Sequence, residues 1–399
     1  MNQAPSNDKG AVTMPNRYPW LGVLSLMLGA FALVTSEFLP ASLLTPMAAD
    51  LGTSEGVAGQ TVTATAIMGA IAALSAALVT RRFDRRLVVW SFSALLVVSN
   101  LAVCFAPDLW TLLIARLLLG IALGGFWSMS TALAVRLVPP QWVPKAMSII
   151  LVGVSAATIC AAPAGALMGE WWGWRAVFAV ATGLGVIALL TQLLWLPAMS
   201  PVTPPSLRTL AQATRLEGVR LGLLISVLIA AGHFAGFTYI RPYLEQVPRL
   251  SSETLSAALL VFGVAGFVGN LIGGVIVTRY LHVAVLLAPV LISIATLFMT
   301  VAGNLTAMSL TMVAVWGFAF GIVPIGLQTW MARAAPDQLE SVGGVFIATF
   351  QISIMLGSIS GGVLLDNVGA RSPIVFTGIL MVLAALMFWR FGWKLNMPS

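Results

Sequence analysis

Charge is what this chain has least of. Only 8% of its 399 residues are Asp, Glu, Lys or Arg, while 59% are apolar. A soluble domain is about a quarter charged, so a water-soluble fold is excluded and an integral membrane protein is implied. Cysteine and histidine are nearly absent, at two each. Cys104 and Cys160 both fall inside apolar runs, which excludes a disulfide framework or a thiolate metal centre and leaves them as packing residues. There is no metal-ligand spacing, no phosphate-cradling glycine loop and no nucleophile set in a supporting motif. Neither a cofactor nor catalysis is therefore expected.

What the chain does have is twelve apolar runs, at 19–43, 57–80, 87–106, 109–135, 145–168, 176–196, 219–244, 254–278, 283–302, 306–333, 340–365 and 373–391. Each approaches the roughly 20 residues that cross a bilayer as a helix, the one open-ended form that satisfies its own backbone in lipid. The first run is too long for a signal peptide and lacks a small-residue cleavage site, so it is expected to remain as the first helix. The longest polar interruption, Pro197 to Arg220, splits the runs six and six. The expected organisation is a disordered cytoplasmic N-terminus at 1–16, a six-helix bundle at 17–196, a cytoplasmic linker at 197–218, a second bundle at 219–393 and a tail at 394–399. Prolines bar a continuous helix through the linker, and the part after Ser206 suits a short surface helix.

The basic excess, 20 Lys and Arg against 13 Asp and Glu, would suggest nucleic acid in a soluble protein. Its placement argues otherwise. With the N-terminus inside, inner loops and tails hold 15 basic residues, among them Lys9, Arg17, Arg81, Arg82, Arg85, Arg86, Arg136 and Arg208, while Arg175, Arg241, Arg249 and Arg371 are the 4 outside. The positive-inside rule then makes both termini cytoplasmic. The partners expected are the bilayer, a small-molecule substrate and protons, with no nucleic acid and a monomeric chain.

The halves repeat. Adding 197 carries Gly120 to Gly317, Gly124 to Gly321, Arg136 to Arg333, Pro139 to Pro336 and Gly165 to Gly362; an offset of 202 sets Glu37-Phe38-Leu39-Pro40 over Tyr239-Ile240-Arg241-Pro242. Parallel repeats about an axis normal to the membrane characterise transporters that rock one half against the other around a midplane site.

Glu37 is the one acid well inside a run, and Arg116 the one base. Intramembrane charges are costly and mark function by default. Counted from the outer ends of their helices, both lie roughly 10 Å deep, so they are read as partners. Burial favours a neutral carboxylic acid and a nearby guanidinium favours an ionised one, a balance suited to taking and releasing a proton. The alternative has Glu37 snorkelling outward and Arg116 pinning its helix to a backbone carbonyl. Arg116, Gly120, Leu123 and Trp127 are spaced to share a face, and Phe126, Trp127 and Ser128 offer aromatics and a hydroxyl to a heterocycle, though the neighbouring glycines suit helix packing. Gln60 and Thr63 open the second span as substrate candidates or as groups bonding their own helix. His233 lies near mid-depth, followed by Phe234, Phe237 and Tyr239; it reads as a second proton or substrate group, or as a neutral core histidine. Trp316, Gln328 and Gln351 complete the candidates for substrate contact. The inner loop Thr80 to Arg86 is an interfacial anchor, and Asp84 with Arg85 and Arg86 adds a candidate latch.

These residues resemble the major facilitator superfamily, and its drug:proton antiporter group in particular, across all twelve spans. Leu112-x-x-x-Arg116-x-x-x-Gly120 resembles the group's fourth-helix motif, whose arginine is associated with proton coupling. Asp84-Arg85-Arg86 resembles a shortened form of its loop motif, and Gly153 to Gly165 its fifth-helix motif, with Ala162-Pro163 where Gly-Pro is usual. Glu37-Phe38-Leu39-Pro40, Leu123-Gly124-Gly125-Phe126-Trp127, Gly173-Trp174-Arg175 and Thr238-Tyr239-Ile240-Arg241-Pro242 narrow the resemblance to nucleoside exporters of that group. The resemblance implies a bacterial inner-membrane carrier that exports a small solute, purine nucleosides such as inosine first, in exchange for protons. Sugar or multidrug efflux, and a sensor that binds solute without moving it, are the alternatives.

Overall fold

The computed structural model describes residues 19–200, 212 and 214–394. The expected N-terminal segment, most of the linker including Arg208, and residues 395–399 lie outside them. The described residues form the helices α1 (Pro19–Leu51), α2 (Glu55–Ala58), α3 (Gln60–Val79), α4 (Arg85–Cys104), α5 (Leu109–Leu137), α6 (Val143–Trp172), α7 (Trp174–Trp195), α8 (Glu217–Phe237), α9 (Ile240–Gln246), α10 (Ser252–Ala302), α11 (Thr306–Ala334), α12 (Leu339–Val368) and α13 (Ser372–Phe391), with short 3-10 turns between. Among them 11 are long and apolar enough to cross a membrane. The 51-residue α10 is two spans joined through a break at Tyr280 (φ −135°, ψ 58°), which gives the twelve spans the sequence predicts.

Several boundaries differ from the apolar runs, each for a backbone reason. The first helix continues past Pro40 and Pro46 to Leu51, because a bundle interior supplies other donors for the carbonyls those prolines leave unpaired. The seventh run is interrupted at Thr238 and Tyr239, and the loop expected between the eighth and ninth runs is helical on both sides of Tyr280. Cys160 is exposed; it faces outward from α6 rather than packing inside, as the sequence reading had it.

Helix ends are capped where the chain turns. Ser54, Asp84, Asp108 and Ser251 each accept a backbone N–H of their own first turn, which satisfies donors that lipid cannot. Gly173 closes the α6–α7 turn at φ 79°, a conformation that favours glycine. Each half has its own apolar core, one around Leu26, Leu33, Leu96 and Phe126, the other around Ile225, Phe262, Ile292 and Trp316. A seam runs between them. In it Leu44, Ala48 and Ala58 meet Tyr239 and Leu365, and Val62 and Ala66 meet Phe234 and Ile354. Within the first half a Cβ on Gly124 would strike the Gly69 carbonyl, and one on Gly120 the Thr65 carbonyl. α5 and α3 therefore touch backbone to backbone.

Candidate functional site

Both chain ends of the described bundle lie at one end, here called proximal; the other is distal. Every hydrogen bond described across the seam is distal. Thr45 donates to Glu245 (2.6 Å), Ser54 donates to Asp366 (2.6 Å) and the Gly56 N–H donates to Asp366 (3.0 Å). Gln246 donates to Glu55 (3.1 Å), the Ser358 hydroxyl to the Gly59 carbonyl (3.0 Å), and an Arg241 Nη1–H to the Ser42 carbonyl. Tyr239, a candidate for substrate contact, is instead spent on this seam. It is 1% exposed, its hydroxyl donates to the Ser358 carbonyl (2.7 Å) and lies 3.4 Å from that of Gly56, and its ring fills a cradle where Cβ atoms on Gly59, Gly361 or Gly362 would collide with it. Gln60 lies beside the same cradle and donates to the Gly56 carbonyl (3.2 Å), the self-bonding alternative.

Deeper in, Arg116 takes its alternative reading, a bond to a backbone carbonyl, with Glu37 nearby. Among the described residues the ion pairs are Arg175–Asp50 and Arg241–Glu245. Glu37 and Arg116 are within electrostatic reach of each other but do not close an ion pair. Arg116, 1% exposed, donates from Nη2 to the carbonyl of Ser36 (2.9 Å), and its Cζ stands 5.9 Å from the Phe178 ring centre. The reason is Pro40. A proline has no N–H, so the carbonyl four residues earlier loses its helical partner; that carbonyl is Ser36, and the guanidinium supplies the missing donor. Ser36 is held twice, because Asn100 donates to its hydroxyl (2.8 Å). Arg116 Nε and Nη1 and Asn100 Oδ1 have no hydrogen-bond partner. Glu37 is half-buried. It follows Ser36, which points into the first half, and precedes Phe38, whose ring meets Phe237 across the seam at 5.7 Å. At about 100° per residue, Glu37 is set at the edge of the seam.

His233 occupies an aromatic box in the second half. It is 0% exposed and lies between Phe320 (centroids 3.4 Å, planes 6° apart) and Phe237 (5.1 Å, 14°). Trp316 Nε1–H donates to its Nδ1 (3.1 Å). An indole can only donate, so Nδ1 carries no proton and the imidazole is neutral, its Nε2 unpartnered. In this conformation Trp316 is the hydrogen-bond partner of His233, the arrangement of the core-histidine alternative.

The remaining candidates separate. Thr63 and Gln351 are buried, Thr63 Oγ1 and Gln351 Nε2 without partners, and the Gln351 amide crosses the seam to where a Cβ on Gly69 would be. Trp127 is half-buried, with Phe126 edge-on at 5.6 Å. Phe126 itself is core, 1% exposed; the Ser128 hydroxyl donates to the Gly125 carbonyl (2.8 Å), and Gln328 is exposed. Arg116 and Gly120 do not share a neighbour, since Arg116 meets α1 and Gly120 meets α3. A four-residue step drifts by about 40°, enough to change partners for a helix surrounded by others. At the loop, Asp84 accepts from the N–H groups of Arg86 (2.8 Å) and Met199 (3.0 Å), so it caps α4 and ties down the start of the linker. Arg85 donates to Thr80 Oγ1 (2.7 Å) and Arg86 covers Trp90 at 4.9 Å.

Sequence reasoning missed Ser36, Asn100, Ser42 and Arg241. The signal was available in Pro40 and Pro46, each announcing a carbonyl that needs a donor inside a membrane.

Two six-helix halves meeting along a closable seam define a multi-pass membrane transporter fold. The family model of the Major Facilitator Superfamily matches residues 26–357, and the chain belongs to that superfamily. It is 40% identical over 384 residues, 96% of each chain, to the "Purine ribonucleoside efflux pump NepI" of Shigella sonnei (strain Ss046), and equally identical to that of Escherichia coli (strain K12) over the same shares. Among solved structures it superposes on a D-xylose-proton symporter with TM-score 0.76 at 15% identity, covering 94% of this chain and 98% of that one. The human organic anion transporter MFSD10 (TETRAN) gives TM-score 0.66 at 18% identity, covering 94% and 99%. At these identities the structures speak for the fold.

Proposed function

We propose that this transporter exports purine ribonucleosides such as inosine in exchange for protons, by alternating access across a bacterial inner membrane, as a monomer with both termini cytoplasmic. The observation that carries the coupling is Glu37: the one acid well inside a span, half-buried at the seam's edge, within reach of a fully buried arginine that is committed to a carbonyl next door. The substrate class is supported by the relatives' names and by groups able to engage a polar heterocycle, Gln351 at the seam together with Thr63 and the half-buried Trp127. With the termini inside, the closed distal end is periplasmic.

In the cycle, the distal end opens, Glu37 takes a periplasmic proton, the halves turn, and the proton leaves inward as solute binds. A unit charge moving through 100 mV supplies about 2.3 kcal/mol, enough for tens-fold accumulation per proton. Asp84, which holds the start of the linker through the Met199 N–H, serves with Arg85 and Arg86 as a latch on one conformation.

Proteoliposomes test this. Glu37→Gln is expected to abolish efflux driven by a proton gradient while sparing inosine counterflow. Undiminished gradient-driven flux removes Glu37 from the mechanism. Competition of labelled inosine by nucleosides, arabinose and a lipophilic cation assigns the solute, and inhibition by arabinose or the cation alone points to sugar or drug efflux.

A further inference from the structure

We propose that Arg241 is a positioning residue that staples the first helix from the opposite half, through the carbonyl that Pro46 leaves without a helical partner, and that the staple exists only while the distal end is closed.

α1 carries two prolines, Pro40 and Pro46. Each removes the N–H that would have bonded four residues back, which leaves the carbonyls of Ser36 and Ser42 open inside an apolar bundle. Each carbonyl receives an arginine: Arg116 on Ser36 and Arg241 on Ser42. The first comes from α5, in the same half, and nothing in a rocking motion need break it. The second comes from α9, in the other half.

The surroundings of the second are built for it. Arg241 is 8% exposed. Its Nε donates to Glu245 Oε1 (2.7 Å) one turn on, which fixes the plane of the guanidinium and leaves Nη1 for the carbonyl. Glu245 Oε2 accepts from Thr45 (2.6 Å), the residue before Pro46, so α9 holds the segment leading into the proline at two points. The Ser42 hydroxyl is already given to the Leu39 carbonyl (3.0 Å) and cannot stand in. When α9 withdraws, the Ser42 carbonyl loses its donor, and the closed state is favoured by that difference. The stretch of α1 between the two open carbonyls contains Glu37, so the cross-seam staple sets the position of the carboxylate's own segment.

The inference rests on the alternation of halves proposed above, and on neither the solute nor the proton. Its test is a double-mutant cycle read as a distance. Spin labels replace Pro107 and Ala307, exposed positions at the distal ends of the two halves, in full-length protein with Cys104 and Cys160 changed to alanine, in lipid nanodiscs. Arg241→Gln is expected to move the closed-to-open ratio toward open by about tenfold, the effect of leaving one buried carbonyl unpaired. Pro46→Ala restores an N–H to that carbonyl in both states. In its background Arg241→Gln should shift the ratio by less than about threefold, while in a Pro40→Ala background the full shift remains. An equal shift in all three backgrounds overturns the staple. If Arg241→Gln does not fold, Pro46→Ala alone, which changes no charge, must still move the population toward open, and no movement overturns the proposal. A distance that is the same single value in every variant, and with or without inosine, refutes the alternation itself.

Discussion

Replacing Arg116 by methionine separates a functional charge from a structural rivet. Three contributions can be set against each other. The substitution strips the Ser36 carbonyl of its donor, and an unpaired buried carbonyl costs about 1–3 kcal/mol. It also removes a long cation–ring contact to Phe178 at 5.9 Å, worth about 1 kcal/mol at most. Against these stands relief from holding an arginine inside the membrane, about 2.5–3.5 kcal/mol on the insertion scale. Two of the guanidinium nitrogens have no hydrogen-bond partner, and the nearby Glu37 offsets part of the charge's burial. The sum lies within about 2 kcal/mol of zero. Arg116→Met is therefore expected to fold with near-native resistance to denaturant in detergent and to lose gradient-driven efflux. Adding Pro40→Ala, which gives Ser36 a helical donor again, should raise the stability of that variant by about 1 kcal/mol. A loss beyond about 4 kcal/mol, or a stable variant that still pumps, would refute the reasoning, the first by making the arginine a rivet and the second by making it dispensable.

Two further outcomes concern packing. Tyr239→Phe removes the hydroxyl that bonds the Ser358 carbonyl within the second half (2.7 Å) and lies 3.4 Å from the Gly56 carbonyl across the seam; one neutral hydrogen bond of about 1 kcal/mol sets the limit, so the closed population should fall by less than about fivefold in the same distance measurement. Gly59→Ala sets a methyl group into the Tyr239 ring and should prevent distal closure altogether. Gly124→Ala meets the Gly69 backbone, which cannot yield, and should cost about 1–3 kcal/mol in denaturant unfolding, whereas Gly343→Ala on α12, with nothing in reach of the new methyl, should be neutral or slightly stabilising.

The spans were legible because lipid leaves the backbone so few options that hydropathy and length nearly determine them. Their breaks were not. The interruption at Thr238 and Tyr239 sits inside an unbroken apolar run and follows from where Tyr239 must put its ring, a tertiary demand with no local signature. Glu37 and Arg116 stood out as rare charges at matching depth, and they do lie near each other. Matching depth gives no rotational position, however, and the orphaned carbonyl of Ser36 outcompeted the carboxylate for the guanidinium. The same gap explains Phe126 and Ser128. Their spacing is compatible with a binding face, but Phe126 fills the first core and Ser128 bonds its own helix. His233 is legible as a buried histidine, but its hydrogen-bond partner Trp316 lies 83 residues away in sequence and has no local signature.

Why arginine should serve both prolines of α1 follows from the shape of its head group. A lysine ammonium concentrates its donors at one point, whereas a guanidinium spreads them along the edges of a plane. Arg241 uses that spread, with Nε on the carboxylate of its own helix and Nη1 on a carbonyl of the opposing half. A carbonyl open in the helix interior is a fixed acceptor whose strength does not change with pH, so closing the seam on it costs no proton. In the proposed cycle Glu37, one residue beyond the first open carbonyl, would exchange its proton without being the group that holds the distal end closed. On the proposed cycle gating and protonation fall on different atoms of α1, which carries both prolines, so the coupling should weaken when either proline is replaced even though neither proline carries a proton.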